Sequence, residues 1–178
     1  YCLALLSKRK TMGQTLRRAL WVWKPQEINH KAQKQSLLNF CKAEKITELY
    51  YYVIMREEEF PKITAALEGE EYFRDLLRDM HTAGIKVYAL FTRPFNAINR
   101  GHTKVMAEIK ALVNFNARSL PAEQFDGIHY SFDVYLAGEL QSKDRMKHVK
   151  ALISLLWRIN LFLRISRPKI PISVAMPY

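Results

Sequence analysis

The sequence predicts an α/β fold made of repeated βα units around a parallel sheet. Short apolar runs alternate along the chain with longer segments whose apolar residues recur at helical spacing. Strands separated by single long helices run parallel, because a right-handed crossover returns each strand to the same side of the sheet. The composition agrees, since 49% of the 178 residues are apolar and only six are Gly and seven are Pro, which excludes collagen-like, low-complexity and disordered classes.

The first strand and the first helix are predicted from the start of the chain. The run 19–23 is apolar and is followed by Pro25, which cannot continue a strand. Asn29 is a capping residue for a helix through about Glu44, and the apolar residues of this helix share one face.

The next elements are a strand, a helix and a strand. The run 49–55 is rich in β-forming residues and apolar on both faces, which is typical of a strand covered on both sides in a parallel sheet. The run Glu57-Glu58-Glu59 after it is predicted to be a solvated loop end. The clearest helix begins at Glu70 and ends at Gly84, and the run 87–91 is the third strand.

The remaining chain predicts two further βα units. The same patterns give a helix around 105–113, a strand over about 125–134, a helix around 149–156 and a strand over 172–176.

An incomplete barrel fits this series better than a nucleotide-binding sheet. The first strand is followed by Lys24-Pro25-Gln26-Glu27 and not by a Gly-rich turn, which argues against a dinucleotide site. A (β/α)8 TIM barrel needs about 250 residues. We therefore predict an incomplete TIM barrel with about five strands. Its first and fifth strands are open edges, which invite pairing with a missing C-terminal barrel segment or self-association.

The ends of the chain divide it into an extension and one domain. Residues 1–17 begin with a short apolar run followed by Lys8-Arg9-Lys10, and we interpret them as an extension, either the remnant of a signal or anchor segment or a terminal packing strand. Residues 18–178 form the single partial barrel domain. Membrane contact is expected only through such an anchor.

Charge and cysteine content restrict the partners. The net charge of +11 opens nucleic acid or an anionic surface as a partner, but the basic residues are spread along the chain, and a nucleic-acid-binding domain ranks third among the functions considered. Cys2 and Cys41 are too few for a disulfide framework. The histidines lack metal-ligand spacing, so no metal site and no cofactor are predicted.

The fourth strand contains the most informative pattern. His129, Ser131 and Asp133 alternate with apolar residues, so they face one side of the strand. A carboxylate at the end of such a polar column is placed as a general acid must be, because the acid meets its substrate at the mouth of a barrel. His129 itself is more typical of a hydrogen-bonded core histidine.

The segment 126–133 resembles a known strand motif. Asp-Gly-Ile-His-Tyr-Ser-Phe-Asp is similar to the Asp-Gly-x-Asp-x-Asp-x-Glu strand of family eighteen chitinases and related TIM-barrel glycosidases. Segment 123–129, with Tyr135, also resembles uncharacterised bacterial glycosidase-like barrels that carry Asp-Gly-Ile-His-x-Asp-x-Glu-Pro-Tyr, and segments 18–23 and 172–178 resemble their first and fifth strands.

The resemblance implies a carbohydrate-active protein of a bacterial cell envelope or a secreted one. Asp133 becomes the candidate acid for glycoside hydrolysis, with Ser131 and Asp126 in support and an oligosaccharide or polysaccharide as the partner. The predicted lining of the cleft comprises Trp23, Arg93, Tyr135 and Tyr178.

Departures from the motif leave an alternative open. Asp133 stands where these glycosidases have Glu, and Ser131 stands where they have Asp. The site is then either degenerate or suited to another sugar, and the alternative function is a non-catalytic binding or scaffold module of the same fold. Asp126-Gly127 also has the composition of a simple turn into the strand.

Overall fold

The computed structural model of the chain describes residues 17–24, 31–58, 62–92, 101–132, 145–166 and 169–175. The elements in chain order are β1 Ala19–Val22, α1 Lys31–Ala43, β2 Glu48–Tyr52, β3 Met55–Glu58, β4 Thr64–Leu67, α2 Glu70–Thr82, β5 Lys86–Thr92, α3 Gly101–Ala117, a 3₁₀ turn Pro121–Glu123, β6 Gly127–Ser131, α4 Arg145–Ile165 and β7 Ile172–Ala175.

A parallel sheet of five strands forms the centre of the fold. Its strand order is β1-β2-β5-β6-β7, and each pair of neighbours runs parallel. The order follows the chain without reversal, whereas doubly wound sheets reverse their order at a switch point. The predicted parallel α/β fold is confirmed, and within the described strands the sheet is wound in one direction only.

The four α-helices of the described ranges pack on one face of this sheet, which we call the outer face. Every second strand residue points there, including Leu49, Val87 and Ile128, and these belong to one hydrophobic cluster with buried residues of all the helices. Tyr51 and Tyr130 are the largest fully buried side chains of the cluster. Burial of each large apolar side chain in this layer contributes about 1.5–3 kcal/mol.

Helix α2 has the limits that its sequence predicts. Gly69 adopts φ 70° just before the helix, and Glu70 and Glu71 occupy its first turn, where the helix dipole favours negative charge. Gly84 adopts φ 73° just after the helix, a left-handed conformation that glycine reaches without a steric penalty.

The predicted strand 49–55 is partly wrong, because it contains the end of one strand and the start of another. β2 ends at Tyr52, and Met55 begins a hairpin in which β3 pairs antiparallel with β4. The run predicted as a solvated loop end begins inside this hairpin, because Glu57 and Glu58 belong to β3. Glu58 is exposed as expected, whereas the carboxylate of Glu57 lies 3.1 Å from Nζ of Lys104, and Glu59 lies outside the described residues. Buried Leu67 anchors the hairpin to the core.

Helix α4 packs on the sheet through Leu152, Leu155, Ile159 and Leu163, all of which are buried. No helix within the described ranges combines the length and the apolar character that crossing a membrane requires.

Candidate functional site

The face of the sheet opposite the helices, which we call the inner face, is lined by aromatic and polar side chains. The strand register sets Trp21, Tyr50, Tyr88 and Gly127 side by side in one row across four strands. The next row toward the carboxyl ends contains Tyr52, Leu90, His129 and Ser173.

Five rings of the inner face form a continuous group, the aromatic cluster, which comprises Trp21, Trp23, Tyr50, Tyr88 and His129. Trp21 is central, with its ring centroid 5.0 Å from Trp23, 5.5 Å from Tyr50 and 4.8 Å from His129. Tyr50 stacks on Tyr88 at 5.0 Å and meets the edge of His129 at 4.8 Å.

The contact between Trp21 and His129 requires a curved sheet. Two strands separate β1 from β6, so a flat sheet would hold their backbones about 14 Å apart, and side chains that stand upright on it would stay nearly as far apart. Their ring centroids are only 4.8 Å apart. The sheet therefore bends toward its inner face and makes that face concave.

Gly127 makes room for one ring of the cluster. A Cβ atom at this position would lie 2.6 Å from Cδ1 of Tyr88 and 3.1 Å from the carbonyl oxygen of Pro171. The Tyr88 ring thus occupies the space over β6 that any other residue would fill, and it stacks on Tyr50 from there.

The two ring nitrogens of the buried His129 differ in their hydrogen bonding. Nδ1 lies 2.7 Å from Oγ of Ser173, whose hydroxyl also reaches the carbonyl oxygen of Ile128 at 3.5 Å. Nε2 is closed off from solvent and has no hydrogen-bond partner among the described residues. Burial lowers the pKa of His129 to about 4, so its imidazole is neutral at pH 7.

The indole nitrogen of Trp21 is also buried without a hydrogen-bond partner among the described residues. Nε1 is shielded from solvent and, within the described part of the chain, no acceptor lies within hydrogen-bond distance. Native proteins pair nearly all buried polar atoms, and each unpaired one costs about 1–3 kcal/mol. Two such atoms on contacting rings are therefore an unusual concentration of unsatisfied polar groups.

A charged pair, Arg17 and Glu48, lies at the amino end of the inner face. Glu48 lies 3.6 Å from Nη1 of Arg17 and accepts a 3.4 Å hydrogen bond from the Tyr50 hydroxyl. Burial and the nearby Glu48 carboxylate raise the pKa of Tyr50 to about 12, so the phenol stays protonated. Tyr50 therefore acts as a neutral hydrogen-bond donor.

Two of the residues predicted from sequence lie at the carboxyl ends of the strands. Trp23 follows β1, is 38% exposed and packs against Trp21 with the ring planes tilted by 43°. Ser131 ends β6 on the inner face, buried between Thr92 and Ala175 in the strand register. Asp133, Arg93, Tyr135 and Tyr178 lie outside the described residues.

Asp126 lies at the opposite end of β6 from Ser131. Its Oδ2 accepts a 2.7 Å hydrogen bond from the backbone N–H of Val87 and lies 2.8 Å from Nε2 of His81. Five strand residues of about 3.3 Å each place it some 16 Å from Ser131. The structure does not bring these two residues together, and the contacts of Asp126 are those of a residue that fixes the turn into β6.

Sequence reasoning missed Trp21, Tyr50 and Tyr88, which line the inner face. The run 49–55 predicts a strand that is covered on both faces, but only Tyr51 lies in the core, while Tyr50 faces the opposite side. The signal was the alternation itself, because aromatic residues two apart on one strand share a face.

Among the described residues, no group of three or more His, Cys, Asp or Glu side chains is arranged to hold a metal ion. Comparisons of the chain with protein-family models, with curated proteins and with solved structures find no match.

Proposed function

We propose that the protein binds a neutral carbohydrate on the concave inner face of the sheet, and that its βα units are part of a TIM barrel whose interior is this face. The observation that supports the proposal is a pair of buried nitrogens, Nε1 of Trp21 and Nε2 of His129, which have no hydrogen-bond partner among the described residues and lie within a wall of aromatic rings.

The strand order and the curvature support the barrel. Strands added in chain order on one edge, with helices on one face only, are the arrangement from which a barrel closes. The bend that brings Trp21 to His129 has the direction that closure needs, since the helices lie outside it. We propose that β7, an edge strand of the described sheet, pairs with a further strand.

The two nitrogens match a hydroxyl group. Trp21 Nε1–H can only donate. When the Ser173 hydroxyl donates to the Ile128 carbonyl, it accepts from Nδ1–H of His129, which leaves Nε2 as an acceptor. Both nitrogens are closed to solvent, so a ligand reaches them only when the surrounding rings move apart. One ligand hydroxyl then accepts from the indole and donates to the imidazole, because a hydroxyl both donates and accepts.

The surroundings favour a neutral sugar over an anion. The imidazole is uncharged at pH 7, because the pKa of His129 is lowered to about 4, and Tyr50 is a protonated phenol. Aromatic walls with a few placed polar groups are the usual lining of small-molecule sites. Trp23, partly exposed at the carboxyl end of β1, offers a ring face to a sugar that extends out of the cluster.

Titration of tryptophan fluorescence with a panel of neutral oligosaccharides tests the binding. We expect a saturable change that is lost in Trp21→Phe and weakened about tenfold or more in His129→Phe, because each substitution removes a polar partner of the ligand. Trp157→Phe, on the outside of α4, is the matched control and keeps the response. A panel without any response in the wild-type chain would reject the proposal.

Glycoside hydrolysis with Asp133 as the acid is the catalytic form of this proposal. It is supported by the sequence motif 126–133, in which Asp133 follows Ser131 by two residues. Residues two apart on a strand share a face, so the motif predicts that Asp133 and Ser131 face the same side. An Asp133→Asn variant is expected to retain sugar binding and to lose hydrolysis, as measured by release of reducing ends. Hydrolysis that survives this substitution would remove Asp133 from the mechanism.

A non-catalytic sugar-binding or scaffold module is the second candidate. The contacts of Asp126 favour it, because this carboxylate is bonded to Val87 and His81 at the far end of β6. If the wild-type chain binds members of the oligosaccharide panel but releases no reducing ends, the result favours the non-catalytic module.

A further inference from the structure

Helix α4 has a second apolar face that points away from the protein. Its buried residues occupy one side of the helix, whereas five large apolar side chains on the other side are between 50% and 75% exposed. These are Met146, Ile153, Trp157, Leu161 and Ile165. The last four follow one another at intervals of four residues, so they form one stripe along the helix.

The same side of the helix is strongly basic. The segment Arg145–Ile165 contains five Lys and Arg residues and no Asp or Glu. Lys147, Lys150, Arg158 and Arg164 are all exposed. At 100° per residue, Lys150 and Arg164 lie within about 20° of Trp157, on the side opposite the buried residues. We call the exposed apolar stripe together with these four basic residues the α4 outer face.

No carboxylate of the described residues forms an ion pair with these four basic side chains. The charge is therefore not neutralised within the described part of the molecule. It lies beside an apolar surface that includes a tryptophan which is 65% exposed.

We propose that the α4 outer face docks the protein on the surface of a membrane rich in anionic lipids. A basic helix with Trp and aliphatic residues on one side lies in the plane of a bilayer interface, with the apolar side chains among the acyl chains and the Lys and Arg at the phosphates. The basic residues occur along the whole length of α4, so the helix lies parallel to the surface.

Charge also decides between the possible occupants of this face. A second copy of the chain would bring two basic faces together, and like charges at an interface cost several kcal/mol. A nucleic acid would match the charge, but it offers nothing to the aliphatic side chains of Ile153, Leu161 and Ile165. An anionic bilayer is the partner that satisfies both the charge and the apolar stripe.

Vesicle co-sedimentation of the whole chain tests this proposal. We expect binding to phosphatidylcholine vesicles that contain about 30% phosphatidylserine and little binding to phosphatidylcholine alone. Each Lys or Arg near such a surface strengthens binding about fivefold, so Lys150→Glu with Arg158→Glu lowers the partition coefficient by about 25-fold or more.

The matched control reverses two charges elsewhere. Lys42→Glu with Lys62→Glu changes the net charge equally at two exposed positions outside α4, and it is expected to weaken binding only a few-fold. Equal losses in the two double variants would mean that only the overall charge of +11 acts, and would overturn the proposal.

The depth of Trp157 gives an independent readout. Lipids with brominated acyl chains are expected to quench tryptophan emission of the bound wild-type chain, whereas Trp157→Phe still binds and shows little quenching. Absence of binding to the anionic vesicles, or a dimer in solution that Trp157→Ser dissociates, would overturn the proposal. Unchanged circular dichroism confirms that each variant is folded.

Discussion

Nε2 of His81 lies 2.8 Å from Oδ2 of Asp126, and Nδ1 of the same ring lies 2.8 Å from the carbonyl oxygen of Ala122. Both neighbours are acceptors, so the ring satisfies them only when both nitrogens carry protons. The hydrogen bond to Asp126 raises the pKa of His81 accordingly. His81 on α2 therefore joins the helix to the start of β6 and satisfies both acceptors in its protonated form.

Stability should fall at alkaline pH because of His81. Its pKa is raised above the ordinary 6.5, so the stabilisation is fully present below pH 6.5 and is lost as the pH rises through the folded-state pKa. Urea unfolding from pH 6 to pH 9 measures this loss. His81→Gln should lower the free energy of unfolding at pH 6 by about 1–2 kcal/mol and flatten the alkaline limb. If the free energy of unfolding of His81→Gln falls with alkaline pH as steeply as that of the wild type, groups other than His81 cause the loss.

Stability should also fall at acid pH because of His129. Burial lowers its pKa from 6.5 to about 4, so the unfolded chain binds a proton between these values that the folded chain does not. The stabilisation is complete above pH 6.5, and about 3 kcal/mol is lost as the pH falls to 4. His129→Phe is expected to lack this component in urea unfolding measured from pH 7 down to pH 4. If His129→Phe loses as much stability as the wild type between pH 6.5 and pH 4, His129 is not the group responsible.

Gly127→Ala should destabilise the fold, although the backbone there has no positive φ. The new Cβ would lie 2.6 Å from the Tyr88 ring, and overpacking of this kind costs about 1–3 kcal/mol. Thermal unfolding of Gly127→Ala in wild-type and Tyr88→Ser backgrounds measures the cost. The destabilisation caused by Gly127→Ala should be smaller in the Tyr88→Ser background, because the ring is absent there. Equal destabilisation in both backgrounds would place the clash at the carbonyl oxygen of Pro171 instead.

The thiol of Cys41 should be unreactive in the folded protein. It is fully buried, and burial raises its pKa to about 11, so almost no thiolate is present at pH 8. In a Cys2→Ser background, a thiol reagent should modify Cys41 only after unfolding in urea. Rapid modification under native conditions would mean that α1 opens locally.

The sequence was sufficient for the elements that local pattern determines. The strand at 19–23, the helix from Glu70 to Gly84 and the alternation of Ile128 with His129 all follow from residue type and spacing, and the structure has them. The parallel direction of the strands followed from crossover geometry in the same way.

The hairpin β3–β4 could not be predicted in this way. Only Met55 is apolar in the four residues of β3, and the hairpin depends on contacts distant in sequence, such as the ion pair of Glu57 with Lys104. The aromatic cluster was missed for a related reason. Aromatic runs such as 50–52 suit either face of a strand, and only the curvature of the sheet brings Trp21 to His129.

The strand order has a consequence for how the chain folds. The strands of the five-stranded sheet lie in the order in which they occur in the chain, and only the hairpin β3–β4 is inserted between two of them. Neighbouring strands of the sheet therefore leave the ribosome one after the other. The paired residues are nevertheless 29 to 44 positions apart, because each parallel connection carries a helix, and such non-local pairing slows folding. The packing of Trp21 on His129 differs from these pairings, because it joins the first strand to the fourth. Emission from Trp21 should therefore change last during refolding, after the helices have formed.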